Sequence, residues 1–290
     1  MGQDWSRWLD ETSTADVPEG SRPRGRAPVV RLRKGRRGDG EGGTAPRPIL
    51  VVGGCGGAGT TTTALGLAGE LAAQTAAVAV DATVAGSDLA LRGADEHLSP
   101  ISLQQWLYGR GDDEPAPLKE CLSRASSGIG LLWRDASPLR RRATYLTVAR
   151  AVTEAGFTPV YDGGNPISAR QLRPLLEDAE VALVLAIPAR ADAANRLRVT
   201  LELLDDEFGG HAEGQGGGIV GDTTIVVSHQ LPGNDSRVAD HLREHLTGWV
   251  RDIREIPYDP QLARGELVRH NALDAETQRA YRQLLTGMAS

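Results

Sequence analysis

The stretch with the densest chemistry is Gly54-Cys55-Gly56-Gly57-Ala58-Gly59-Thr60-Thr61-Thr62-Thr63. It follows the apolar run Ile49–Gly53 and opens a helix-length segment from residue 60 to 74. Glycines let backbone N–H groups close around phosphate oxygens, and the N-terminus of the following helix adds a favourable dipole. The spacing overlays the phosphate-loop pattern G-x-x-x-x-G-K-[ST], with Thr60 standing where that pattern has its lysine. A strand on one side and a helix on the other is the context that gives the pattern meaning.

Two further groups of residues have types suited to chemistry. Asp81 and Asp162 each end an apolar run, Ala77–Asp81 and Pro159–Asp162. His241-Leu242-Arg243-Glu244-His245 matches H-x-x-E-H, which on a helix puts both histidines on one face. The third protein ligand such a zinc site needs has little chain left to come from, so no zinc is expected. His97, His211, His229 and His270 show no pairing in the sequence and read as surface or loop residues.

The elements that must position these groups alternate. Apolar runs at 49–53, 77–81, 129–133, 159–162, 181–187, 223–228 and 251–256 are separated by helix-length segments such as 60–74, 138–155, 191–207 and 235–246. This alternation predicts a three-layer α/β fold, a mostly parallel central sheet with helices on both faces. Leu273, Thr277, Tyr281, Leu284, Leu285 and Met288 recur at helical spacing and predict a packed last helix. One globular domain is expected over 48–290, with no internal repeat.

Residues 1–47 read instead as a disordered arm rich in Pro, Gly, Ser and Arg. Trp5, Trp8 and Leu9 fall on one face of a short helix, the pattern of an anchor for a protein partner. Arg22 to Arg37 holds eight basic residues and no acidic one, suited to nucleic acid or an anionic surface. The whole chain, 290 residues with a formal charge of −6, has a composition that excludes collagen-like, coiled-coil and disulfide-scaffold classes. No apolar run approaches the ~18 residues of a membrane span, and no secretory leader is evident. Two cysteines, Cys55 and Cys121, fit a reducing, cytoplasmic setting. Only two lysines, Lys34 and Lys119, stand beside 30 arginines, so any site between them must do without lysine.

The loop and its order of companions resemble the MinD/ParA family of P-loop ATPases, whose loop reads K-G-G-x-G-K-[ST]-T-T. Here the glycines and threonines match, while Cys55 and Thr60 replace the two lysines. AVAVDATVAGSDLAL resembles the family's D-x-D-x-x-x-x-D-L segment, with Asp81 and Asp88 matching and Thr83 in place of the water-positioning aspartate. TPVYDGGNPIS resembles the Walker B strand, with Asp162 as the magnesium aspartate. REIPYDPQLARGEL resembles the late I-P-x-D loop near the base. Ser228-His229 stand where the family's adenine-contacting Asn would be. The resemblance covers about residues 48–288, and its flavour is nearest the CpaE/TadZ branch, which positions secretion or pilus machinery.

The resemblance implies ATP or ADP on residues 54–62, and Mg²⁺ held by Thr61 and, through water, by Asp81 and Asp162. It implies a homodimer in the cytoplasm, recruited to a pole, membrane surface or nucleoid. Charge-assisted hydrogen bonds are worth ~1.5–3 kcal/mol each, so losing both lysines implies nucleotide affinity lowered by roughly one to three orders of magnitude. With Thr83 in the water-positioning place, hydrolysis is expected to be very slow, and no catalytic residue is assigned. The expectation is a pseudo-ATPase that acts as a positioning or scaffold factor in partition, division or secretion. The alternatives are a working ATPase that substitutes arginine, for which Arg140, Arg141 and Arg142 are the candidates, and a DNA-binding accessory that works through the basic arm. For Cys55 the expectation is a small residue tolerated in the loop, with a thiol pKa lowered near the helix N-terminus as the alternative.

Overall fold

The computed structural model describes residues 46–109, 116–139, 144–209 and 218–289. Trp5, Trp8, the basic stretch 22–37, Arg140 to Arg142 and His211 lie outside the described residues. The described residues fall in one structural unit. Its elements, in chain order, are β1 (Ile49–Gly53), α1 (Thr60–Ala72), β2 (Ala77–Asp81), α2 (Leu89–Gly93), α3 (Leu103–Tyr108), α4 (Leu118–Cys121), β3 (Ser123–Arg124), β4 (Gly130–Leu132), α5 (Tyr145–Glu154), β5 (Thr158–Gly164), α6 (Arg173–Leu176), β6 (Ala182–Pro188), α7 (Ala191–Phe208), α8 (Gly218–Gly221), β7 (Thr224–Ser228), α9 (Arg237–Leu246), β8 (Asp252–Ile256), α10 (Pro260–Ala263) and α11 (Ala275–Ala289).

The strands form one sheet in the order β3-β4-β2-β5-β1-β6-β7-β8. Every pairing is parallel except β3 with β4. β1 is buried along its whole length, as a central strand covered on both faces must be. Ile49 and Val51 belong to the core cluster that α1 and α11 supply with Leu65, Leu67, Tyr281 and Leu284. Leu50 and Val52 alternate to the opposite face, where α5 packs on β5 and α7 on β6. The result is the three-layer α/β fold read from the alternation.

Two details differ from the expected pattern. An eighth, antiparallel strand, β3, joins the edge through Ser123↔Leu131 and Arg124↔Gly130. A two-residue polar strand leaves no apolar run to find; its pairing comes from the turn around Gly128 and not from its own composition. In the segment 138–155 the helix begins only at Tyr145.

α11 lies against α1, and the fit depends on a glycine. A Cβ added at Gly66 would stand 2.3 Å from Cζ of Tyr281, so the aromatic ring takes the space a side chain would need. Beside it, buried Glu70 receives Arg282 Nε at 3.1 Å and faces His270 Nε2 at 3.2 Å. Leu273, Thr277, Tyr281, Leu284, Leu285 and Met288 are all buried, as their spacing requires. Among the described residues, no helix is long and apolar enough to cross a membrane.

Candidate phosphate-binding site

β1 ends at the C-terminal edge of the sheet, and its loop turns into α1 there, where ligands of parallel α/β sheets sit. Gly54 N donates to the Ala186 carbonyl at 2.9 Å, which fixes the start of the loop against β6. Gly57 and Gly59 have φ of 72° and 81°, the left-handed region that favours glycine. Gly59 is the N-cap of α1 and carries no side-chain cap. The first helical bond runs from Thr63 N to Gly59 O at 2.8 Å. The N–H groups of Thr60, Thr61 and Thr62 therefore have no acceptor within the helix. Side chains hold the loop's carbonyls: Asn165 Nδ2 donates to Gly53 O at 2.8 Å and Gln230 Nε2 to Gly57 O at 2.7 Å.

Above this loop opens a cavity of about 1060 Å³, at the upper end of the range for small-molecule sites. Cys55 to Thr62 form its floor, and Arg92, His229, Pro257 and Asp259 stand in its walls. The late I-P-x-D loop is thus brought to the same cavity as the glycine-rich loop. Asp259 caps α10 through Gln261 N at 2.8 Å and receives Asp274 N at 2.9 Å.

Asp81, the last residue of β2, is the register partner of Asp162 in β5, and neither has exposed surface. Thr61 Oγ1 donates to Asp162 Oδ2 at 2.6 Å. Burial pushes the Asp162 carboxyl up to about 6; the Thr61 hydroxyl opposes this, and the Asp81 charge adds to it. Asp81 is held by Thr83 N and Oγ1 at 3.0 and 2.7 Å on one oxygen and by Ser87 N at 2.6 Å on the other. A hydroxyl at the helix start backed by two carboxylates is an all-oxygen donor set, the kind that suits Mg²⁺.

The departures from the phosphate-loop pattern have a clear placement. Thr83 turns its hydroxyl back onto Asp81, and Arg134, itself buried, donates to the Thr83 carbonyl. Cys55 lies in the loop, five residues before α1 begins. Burial pushes its thiol up, with Arg196 opposing, which goes against the alternative of a lowered thiol pKa.

Two histidine expectations are also corrected. His229 is buried and its Nε2 lies 2.9 Å from Glu255 Oε2; His270 is buried against Glu70. Their partners sit 26 and 200 residues away, so only the fold brings them together. His241, Glu244 and His245 do cluster on α9, with donor atoms within 4.8 Å of one another, away from the cavity wall. Sequence reasoning missed Arg92, Asn165 and Gln230. Arg92 lies in a plain amphipathic turn, and Gln230, the residue after Ser228-His229, meets Gly57 O across 173 residues of chain.

No protein-family model and no curated protein matches the chain. Solved structures do. A ParA family ATPase from Chlorobium tepidum TLS superposes with a TM-score of 0.60 at 17% identity, over 83% of this chain and 99% of that one. A putative plasmid partition protein from Borrelia burgdorferi B31, bound to AMPPNP, gives 0.57 at 13% identity, over 84% and 98%. The septum site-determining protein MinD from Pyrococcus horikoshii OT3, complexed with Mg-ADP, gives 0.56 at 16% identity, over 84% and 98%. The fold is that of the MinD/ParA-like P-loop NTPases.

Proposed function

We propose that this chain is a degenerate MinD/ParA-like nucleotide-binding protein, a dimerising positioning or scaffold factor for DNA partition, division or secretion machinery. It binds ATP or ADP weakly and turns over slowly or not at all. The observation that carries this reading is a loop that keeps its phosphate-receiving backbone while Cys55, Thr60 and Thr83 stand where the motif has lysine, lysine and aspartate. The N–H groups of residues 56–62 would surround the phosphates. Thr61, with Asp162 and Asp81 behind it through water, would hold Mg²⁺, which would supply positive charge to the phosphates. Structural neighbours crystallised with AMPPNP or Mg-ADP support the nucleotide assignment.

Slow turnover follows from Thr83. Its hydroxyl is engaged by Asp81 at 2.7 Å, and it has no carboxylate with which to orient a water. The test is phosphate release by the purified chain with Mg-ATP, with and without DNA or lipid vesicles. Sustained turnover near ~1 s⁻¹, an ordinary enzyme rate, overturns the reading. The double substitution Cys55→Lys with Thr60→Lys raises nucleotide affinity by about 10-fold or more before it raises the rate, because Thr83 remains.

Recruitment is assigned to the arm, residues 1–47. Trp5 and Trp8 take a protein partner, since the acidic body repels a duplex held close to it. Trp5→Ala with Trp8→Ala delocalises the protein in cells. Tight duplex binding that weakens steeply with salt, unaffected by that double change and lost on deletion of 22–37, assigns recruitment to the basic stretch instead.

A further inference from the structure

The nucleotide reading leaves a gap: with Cys55 and Thr60 in the loop, no cation is evident for the phosphates. The structure supplies one from an unexpected element. Arg92, on α2, lines the cavity. Its side chain is 16% exposed, and Nη1 donates to Thr62 Oγ1 at 3.1 Å. Its Nε is shut off from solvent and has no hydrogen-bond partner. The nearest carboxylate, Asp88, is 57% exposed and lies 4.0 Å from Nε, beyond hydrogen-bond range. The backbone is fixed, by Arg92 N to Asp88 O at 2.8 Å and Val268 N to Arg92 O at 2.6 Å. The guanidinium is therefore delivered to the cavity wall by a rigid turn while most of its donors are unspent.

The other arginine of the wall is already matched: Arg190 makes a fork to Asp192 at 3.0 and 2.7 Å. His229, also in the wall, has its Nε2 on Glu255 at 2.9 Å. Among the described residues that line the cavity, Arg92 is the cation without a carboxylate at hydrogen-bond distance. An arginine so placed matches a phosphate oxygen in charge and geometry.

Its position also says which phosphate. Successive residues of a helix point about 100° apart. Thr61 points to Asp162, the side on which Mg²⁺ would supply charge to the terminal phosphates. Thr62 points away from it, to Arg92. The guanidinium meets the first turn of α1 at Thr62, away from the Thr61–Asp162 contact, so it is placed for the inner phosphates and not the terminal one.

We propose that Arg92 is the phosphate-binding cation of this cavity, and that its place at Thr62 makes the site hold a nucleoside diphosphate about as tightly as the triphosphate. This rests on the nucleotide reading above. The test titrates the full chain with the fluorescent analogues mant-ADP and mant-ATP in Mg²⁺. The wild-type dissociation constants agree within about 3-fold. Arg92→Ala weakens both by about 10- to 100-fold, the worth of a charge-assisted hydrogen bond, and Arg92→Lys recovers part of the loss. Arg92→Met keeps the side chain's bulk; if the alanine variant melts early, the Met and Lys variants decide. A wild type that binds neither analogue overturns the nucleotide reading itself, and this proposal with it. A wild type that binds while Arg92→Met binds equally well overturns this proposal alone. So does a wild type with tenfold preference for mant-ATP that persists in Arg92→Met.

Discussion

Asp81 and Asp162 stand side by side on neighbouring parallel strands, both without exposed surface. Ser87 touches both, through its N–H to Asp81 Oδ2 at 2.6 Å and its hydroxyl to Asp162 Oδ2 at 3.5 Å. Two carboxylates buried this close repel, and the fold tolerates them because hydroxyl and N–H donors face each. The strain of that arrangement is titratable.

The first prediction concerns Asp162. A carboxyl raised to about 6 in the folded chain, against an ordinary value near ~3.9, favours its protonated form there. Folded-state stability therefore falls as pH rises from about 4 through about 6, and stays lower above that. The cost at pH 8 is on the order of 3 kcal/mol. Asp162→Asn removes it. Without Mg²⁺ the variant melts higher than the wild type at pH 8, and the gap closes toward pH 4.5. Added Mg²⁺ raises the melting temperature of the wild type more than that of the variant. Thermal melts across pH, with and without MgCl₂, check this; an Asn variant less stable than the wild type at pH 8 without Mg²⁺ contradicts it.

The second prediction concerns the seam between α1 and α11. At Gly66 an alanine would normally gain about 1 kcal/mol in a helix interior. Here its Cβ would lie 2.3 Å from Tyr281 Cζ, and overpacking costs typically ~1–3 kcal/mol, more when the neighbour cannot move. Tyr281 is fully buried and cannot swing out. Gly66→Ala lowers the melting temperature by roughly 5–10 °C. Adding Tyr281→Leu gives less than the sum of the two single losses, because one clash is shared. Additive losses in chemical denaturation would show that the contact is not the cause.

What was legible in the sequence follows from which signals are local. Apolar runs buried on both faces announce themselves, so Ile49–Gly53 and Ala77–Asp81 are found at their expected bounds. The glycine-rich loop is legible because its positive-φ demands fall on Gly57 and Gly59. Asp81 and Asp162 end runs, and parallel pairing then aligns them. Long-range partners are another matter. His229 with Glu255, His270 with Glu70 and Arg92 with Thr62 join residues from separate elements, and no spacing rule reaches across a crossover. The edge strand β3 fails for the opposite reason, since two polar residues carry no period at all.

The last prediction concerns Thr83, the position that separates a binding protein from a hydrolase. Its N–H and hydroxyl both serve Asp81 Oδ1. Thr83→Asp removes the hydroxyl donor and sets a third carboxylate beside Asp81 and Asp162, neither of which has exposed surface. Like charges in such a site cannot all ionise without cost. The single variant loses about 2 kcal/mol at pH 8, or roughly 4–8 °C in melting temperature. The loss shrinks with added Mg²⁺, whose charge offsets the extra carboxylate. Turnover does not appear in this variant, because Cys55 and Thr60 still leave the terminal phosphate without a cation. It appears only when Thr83→Asp is joined to Cys55→Lys and Thr60→Lys. Phosphate release measured for the single, double and triple variants checks the order. Turnover in the Thr83→Asp single variant would mean that the loop lysines are already replaced in function.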